Sequence, residues 1–170
     1  MYVNFIFISV FIGYTVAVAP IIGYNYGAQR SDELKNVLKK SIVIIGVISL
    51  VMFILSELLA TPMSYIFVSY NEELFDLTKR AFFLYSFSFL FAGFAIFGSS
   101  FFTALNNGPV SAIISFMRTL VFQVAAVLIL PLIFVGHETD GIWLSIVVAE
   151  FLSVIVTLIF MFAKRKKYNY

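Results

Sequence analysis

The sequence predicts an all-α membrane protein of five spanning helices, and three observations carry that reading. The 170 residues are 62% apolar and only 12% charged, where a soluble domain is about half apolar and roughly a quarter charged. Five stretches hold about 20 mainly apolar residues each, the length that crosses a ~30 Å hydrocarbon core at ~1.5 Å of rise per residue. Nearly all of the charge falls between those stretches. With a mean hydropathy of +1.03, a 19.2 kDa globule could not hide its Phe, Ile, Leu and Val behind so few charges. A soluble enzyme, a disordered tail and a disulfide scaffold are excluded. Every backbone amide in hydrocarbon must be paired within its segment, and the runs are too long for barrel strands, so the spans are helices.

The first span covers 3–23. Met1-Tyr2-Val3-Asn4 has no basic leader and no small-residue cleavage site follows, so it does not read as a secretory signal. Pro20 removes a mid-helix donor and clashes with the carbonyl of Val16, which predicts a bend. Ala19, Gly23 and Gly27 fall four apart, a stripe that permits close helix approach, and Gly27 suits a left-handed cap. Tyr24, Asn25 and Tyr26 then sit at the inner end of the span. They read either as an interfacial pair on a tightly packed helix or as the mouth of a substrate or ion pathway.

Ser31 is expected as an N-cap, with Asp32 and Glu33 in the first turn where the dipole favours the acids. The second span covers 41–59 and is expected to end before Pro62, with a short interfacial helix over 63–68. Glu57, close to that end, is expected in solvent. The third span, 81–105, is crowded with Phe and carries Gly93, Gly98, Ser99 and Ser100 for close packing. Asn106-Asn107-Gly108-Pro109 predicts a tight turn into the fourth span, 110–134. The link Gly136-His137-Glu138-Thr139-Asp140 is short and acidic, with His137 expected in solvent. The fifth span covers 142–163, and Trp143 is expected as an interfacial anchor.

Arg30, Lys35, Lys39 and Lys40 share a side with Lys164, Arg165, Lys166 and Lys167, while Glu72, Glu73, Asp76, Glu138 and Asp140 lie on the other with Lys79 and Arg80. The positive-inside rule makes the first side cytoplasmic, putting Met1 outside and the last residue inside. Five spans and so short a leading segment predict that the chain is part of a longer protein.

Only Arg118 and Glu150 lie deep. Each is eight residues into its span, from opposite ends, so each is about 12 Å deep and their depths differ by about 6 Å. Unpaired, either would cost roughly 2.5–3.5 kcal/mol, so they are expected to pair. Ser111 and Ser115 share a face with Arg118, as Ser153 and Thr157 do with Glu150. The pair reads either as a lock between helices or as a charge on a transport pathway.

With no cysteine and one histidine, thiol chemistry and paired-histidine metal sites are excluded. No catalytic set lies within the spans, so neither enzyme, cofactor nor metal is expected. A net charge of +2 does not argue for nucleic acid.

Gly13 followed by Pro20-Ile21-Ile22-Gly23-Tyr24-Asn25-Tyr26-Gly27-Ala28 resembles the signature after the seventh helix of the MATE (multidrug and toxic compound extrusion) transporters. Pro62–Phe67 with Asn71-Glu72-Glu73 is similar to that family's short outer helix. Phe101-Phe102-Thr103-Ala104-Leu105-Asn106-Asn107-Gly108 resembles the close of its tenth helix. Ser115-Phe116-Met117-Arg118 with Pro131, Gly141-Ile142-Trp143 and Ala149-Glu150 follow the order of the last two. The resemblance implies that 1–170 is a partial C-terminal lobe, helices eight to twelve of a 12-helix antiporter of the cytoplasmic membrane. It would export lipophilic, often cationic, drug-like compounds in exchange for Na⁺ or H⁺. Its partners would be the lipid bilayer and the N-terminal lobe of the same protein, and the chain alone would be inactive. The carboxylates that some members use on helices seven and ten, or in the N-terminal lobe, have no counterpart on these residues. Two alternatives are weighed beside it: part of a lipid-linked oligosaccharide flippase, for which Arg118 is the sole intramembrane cation, and a small non-transporting membrane subunit.

Overall fold

A computed structural model describes residues 2–134 and 136–170; the expected siting of Met1 and of the Glu138 side chain falls outside what is described. The described residues are helical, without strands. They form α1 (Tyr2–Gly27), α2 (Ser31–Val68), α3 (Glu72–Ser86), α4 (Phe89–Ala104), α5 (Gly108–Phe116), a π-helical turn (Met117–Phe122), α6 (Gln123–Ile133) and α7 (Glu138–Tyr168). Four helical stretches are long and apolar enough to cross a membrane: 3–27, 31–68, 108–133 and 139–168. The pair α3 and α4, bent by 47°, makes a fifth if counted as one span.

α4 occupies the centre, packed against α1, α2, α5 and α7. Phe89, Phe97, Phe101 and Phe102 are buried on it. Two glycines let neighbours come close: a β-carbon at Gly93 would strike the ring of Phe11 on α1, and one at Gly98 would strike Thr157 on α7. The two ends of the bundle differ. At the basic end Tyr26 meets Tyr168 edge-on with ring centres 5.5 Å apart. Asn169 reverses the chain with φ 54°, so that Tyr170 packs on Phe101 at 5.0 Å and donates a 3.0 Å hydrogen bond to the Met161 carbonyl. At the acidic end Arg80 pairs with Asp140 at 2.5 Å, tying α3 to the start of α7.

Several local expectations need correction. Pro62 does not end the second helix, which runs unbroken to Val68, so 63–68 is not a separate helix. A membrane helix tolerates proline because side chains and neighbouring backbone re-satisfy the freed groups, and here buried Ser64 donates to the Ala60 carbonyl at 2.7 Å. The interruption lies instead inside 81–105, between Ser86 and Phe89. There the Ser86 hydroxyl bonds the Phe83 carbonyl at 2.8 Å and also the carboxylate of Glu57. Glu57 is therefore half-buried against the α3–α4 bend and not free in solvent. The left-handed residue after α1 is Gln29, φ 55°, with Gly27 still helical. The N-cap of the helix that follows is Arg30, not Ser31, which is already the first helical residue, and no side chain caps that end.

Candidate functional site

Arg118 stands in the π-helical turn and Glu150 in α7, and the structure joins them. Arg118 Nε donates to both carboxylate oxygens, at 3.1 and 2.9 Å, while Nη2 donates to Oε1 at 2.7 Å. This forked geometry presents the Nε and Nη2 edge of the planar guanidinium to the carboxylate and ties the fourth span to the fifth. The side chains retain 23% and 12% of their exposure, so the pair is partly buried with one edge open.

Below it, toward the basic end, runs a chain of hydroxyls. Ser111, Ser115 and Arg118 follow at spacings of four and three, which places them on one helical face. The tight turn over 105–107 folds α5 back along α4. Asn106 takes the left-handed conformation, φ 56°, and the Asn107 side chain accepts from the Val110 N–H at 3.5 Å. That reversal sets Ser99 and Thr103 of α4 opposite Ser111 and Ser115. The Ser99 hydroxyl shares hydrogen bonds with Ser111 at 2.9 Å and Ser115 at 2.7 Å, and Thr103 with Ser111 at 2.6 Å. Ser115 and Thr103 are exposed, as is Gln123 beyond the π-helical turn. Hydroxyls, an amide and an ion pair on the open face of membrane-depth helices are poor partners for lipid; such groups turn toward protein or a water-filled cavity. The face of α4, α5 and the π-helical turn is thus a polar track on an apolar body.

The tyrosine-asparagine triplet does not form one constellation. Tyr24 is 65% exposed, with the Arg30 guanidinium 5.8 Å from its ring centre. Asn25 is buried and donates to the Ile21 carbonyl of its own helix at 2.9 Å. Tyr26 turns to Tyr168. Three successive residues on a helix point about 100° apart, and at this end each direction meets a different neighbour. Around them Pro20 is exposed within a continuous α1. A β-carbon on Gly23 would lie 3.4 Å from the Ala104 carbonyl, so α1 approaches α4 there, whereas Gly27 faces open space. Trp143 is not a free anchor at the interface. It is half-buried, edge-on to Tyr85 at 6.4 Å, with its indole N–H buried and unpaired. The Glu57–Ser86 contact does not follow from residue type or span position; the Ser86-Phe87-Ser88 pattern, whose hydroxyls compete with helical bonding, is the signal that marks it.

A family model described as MatE matches residues 1–129, three quarters of the chain. The chain belongs to the MATE family. Three solved structures share its fold. An inward-facing multidrug resistance MATE family transporter of the MOP superfamily superposes with TM-score 0.89 at 22% identity, covering 98% of this chain and 38% of its own. An outward-facing conformation of such a transporter gives 0.88 at 22% identity, over 98% and 37%. A MATE protein in complex with MaL6 gives 0.83 at 23% identity, over 98% and 37%. The chain therefore spans less than two fifths of the length of the MATE structures it matches. No protein of curated function matches it by sequence.

Proposed function

We propose that this chain is most of one lobe of a secondary active multidrug antiporter, exporting lipophilic and cationic compounds in exchange for Na⁺ or H⁺. It lies in the cytoplasmic membrane with its basic end inside, crossing five times over about 3–23, 41–59, 81–105, 110–134 and 142–163, and it works only with the other lobe. The observation that carries the reading is the polar track from Thr103 to Arg118 and Gln123, exposed where a lipid-facing helix would be apolar. A lobe needs such a face toward a shared central pathway. One helix arrangement fits relatives in both inward- and outward-facing states, which supports a lobe that moves as a unit against its partner. In this reading Arg118–Glu150 holds the two last spans in register and presents its open edge to the pathway. Tyr24, Asn25 and Tyr26 serve the inner end of the lobe as packing and surface residues.

The test is growth in the presence of a lipophilic cation such as ethidium. Cells expressing the chain alone should be as sensitive as cells with empty vector, and cells co-expressing a MATE N-terminal lobe should gain tolerance. Ser99→Ala with Ser115→Leu should remove that gain at unchanged protein level. Resistance from the chain alone, or an unaffected gain in the double variant, would overturn the reading.

A further inference from the structure

Where the span made of α3 and α4 bends, three oxygens share two hydrogen bonds. The Phe87 N–H, which an unbroken helix would give to the Phe83 carbonyl, turns to Tyr85 instead. The Ser86 hydroxyl takes its place on the Phe83 carbonyl at 2.8 Å. The same Ser86 oxygen also contacts Oε1 of Glu57, which reaches in from α2. A serine hydroxyl carries one hydrogen, while a carbonyl and an ionised carboxylate carry none. One hydrogen must therefore serve two contacts if Glu57 is charged. With Glu57 protonated the count closes: its O–H donates to Ser86 Oγ, and the Ser86 O–H donates to the Phe83 carbonyl.

The surroundings favour the neutral acid. Phe53, one turn before Glu57, meets Phe87 with ring centres 5.0 Å apart, and Phe83 meets Phe87 at 5.8 Å. Among the described residues no Lys or Arg lies within ion-pair distance of Glu57, in contrast to Glu150. A half-buried carboxylate beside aromatic rings loses hydration that nothing charged replaces. Ionisable groups on the neighbouring helices face elsewhere. On α3, Glu72, Glu73 and Asp76 are exposed in its first turns, and Lys79, also exposed, lies about 10 Å along the axis from Ser86. Arg80 is taken by Asp140, and Tyr85 stands edge-on to Phe89 and Trp143. α4 has no titratable residue. On α1, Tyr14 donates to Ser41 at 2.9 Å, far toward the basic end, with Tyr24 and Tyr26 beyond it.

We propose that Glu57 is the site at which the coupling ion acts on this lobe, and that the ion is a proton. Glu57 stands in the acidic-end half of α2 with part of its surface open, so it exchanges its proton with that side. Gaining one completes both bonds and fixes the 47° bend. Losing it forces the Ser86 hydroxyl to choose between a charged carboxylate and a helix carbonyl, and the bend loosens. α3 is anchored to α7 through Arg80 and Asp140, whereas α4 carries Ser99 and Thr103 of the polar track. The bend therefore sets how that track stands against the rest of the lobe. The link to export rests on the antiporter reading; the proton site itself is measured on the chain without any transport.

The sequence has no cysteine, so spin labels on Leu77→Cys in α3 and Thr103→Cys in α4 report the bend as one distance. The labelled chain in lipid nanodiscs is followed from pH 5 to pH 9 by electron paramagnetic resonance and by infrared spectroscopy. At pH 5 a protonated-carboxyl band is expected that Glu57→Gln removes and Glu150→Gln leaves. As that band is lost with rising pH, the distance distribution should broaden. Glu57→Gln, whose amide donates to Ser86 as the neutral acid does, should keep the narrow distribution at every pH. Ser86→Ala, which takes the donor from the Phe83 carbonyl, should be broad at every pH while the Glu57 band still titrates. Exchanging K⁺ for Na⁺ should change neither reading. A Glu57 band that is absent at pH 5, or that persists undiminished at pH 9, would overturn the site. A distance that follows pH in Glu57→Gln as it does in the parent would overturn its hold on the bend, and loss of the band on adding Na⁺ would overturn the proton as the ion. With all of these as expected, failure of the co-expressed lobes to confer tolerance would strike the antiporter reading alone.

Discussion

α2 and the α4–α5 face are built in opposite senses. α2 buries Ser41, Ser49, Ser56 and Ser64 and exposes Val43, Val47, Leu50, Val51, Ile54 and Leu58. α4 buries Phe89, Phe97, Phe101 and Phe102, while the open edge it shares with α5 shows Thr103, Ser115 and part of Arg118. In lipid no hydrophobic force draws helices together, since the solvent is as apolar as leucine; small polar residues go inward because they let backbones approach. α2 obeys that rule. The α4–α5 edge departs from it and leaves hydroxyls and part of an ion pair on its exposed side. The difference separates an apolar outer face from a polar one, a distinction that hydropathy alone does not draw.

A buried charge should break the symmetry between the two faces most visibly. Val47→Asp places a carboxylate on the α2 lipid face and is expected to cost about 3 kcal/mol of insertion free energy, a loss of more than about 100-fold. Ser115→Asp places the same group three residues before Arg118 on the polar track and should be tolerated within about 1 kcal/mol. Folded yield by size-exclusion chromatography of the detergent-extracted chain measures both. Equal losses at the two positions would show that the track faces lipid after all.

The Arg118–Glu150 pair comes next. Arg118→Met strands a carboxylate whose side chain is only 12% exposed. It should destabilise by about 2–3 kcal/mol, somewhat below the 3–5 typical of a fully dry pair that loses one partner. Arg118→Met with Glu150→Gln should recover most of that, because no net charge then remains buried. Thermal unfolding in detergent reads the difference. A double variant as well folded as the parent yet unable to support export would place the pair on the pathway; full function would leave it a lock.

The contrast also explains what could be read from the sequence. The tight turn at Asn106-Asn107 and the meeting of Arg118 with Glu150 follow from local composition and from the cost of a lone charge in hydrocarbon, both visible in one dimension. The bend at Phe87 is not, because it is held by Glu57 from another helix. Pro62 misleads for a related reason: its effect on α2 depends on there being no water to compete for the carbonyls it frees. Residue type alone suggests an interfacial Trp143 and an inner-end cluster at Tyr24-Asn25-Tyr26, yet their directions are decided by neighbours. Where a helix is apolar nearly all round, periodicity does not tell which side faces in, and only the packed structure supplies that.

The smallest effect expected is at a pair of glycines, one on each helix of the comparison. A β-carbon at Gly98 on α4 would run into the γ-methyl of Thr157, a β-branched side chain with little freedom to turn away. Gly98→Ala should therefore destabilise by about 1–2 kcal/mol, the usual range for a methyl forced into a packed seam. Thr157→Ser, which removes that methyl and keeps the hydroxyl, should relieve much of the loss. At Gly46 on α2 the added carbon would sit 3.7 Å from the Phe94 ring, an ordinary contact. There the helix preference of alanine should act almost unopposed, and Gly46→Ala should stabilise by about 0.5–1 kcal/mol. The same substitution thus carries opposite signs on the two helices, because α4 is gripped by neighbours and α2 meets lipid on much of its surface. Thermal melts of Gly46→Ala, Gly98→Ala and Gly98→Ala with Thr157→Ser decide it, and a loss at Gly46 as large as that at Gly98 would show that α2 is packed as tightly as α4.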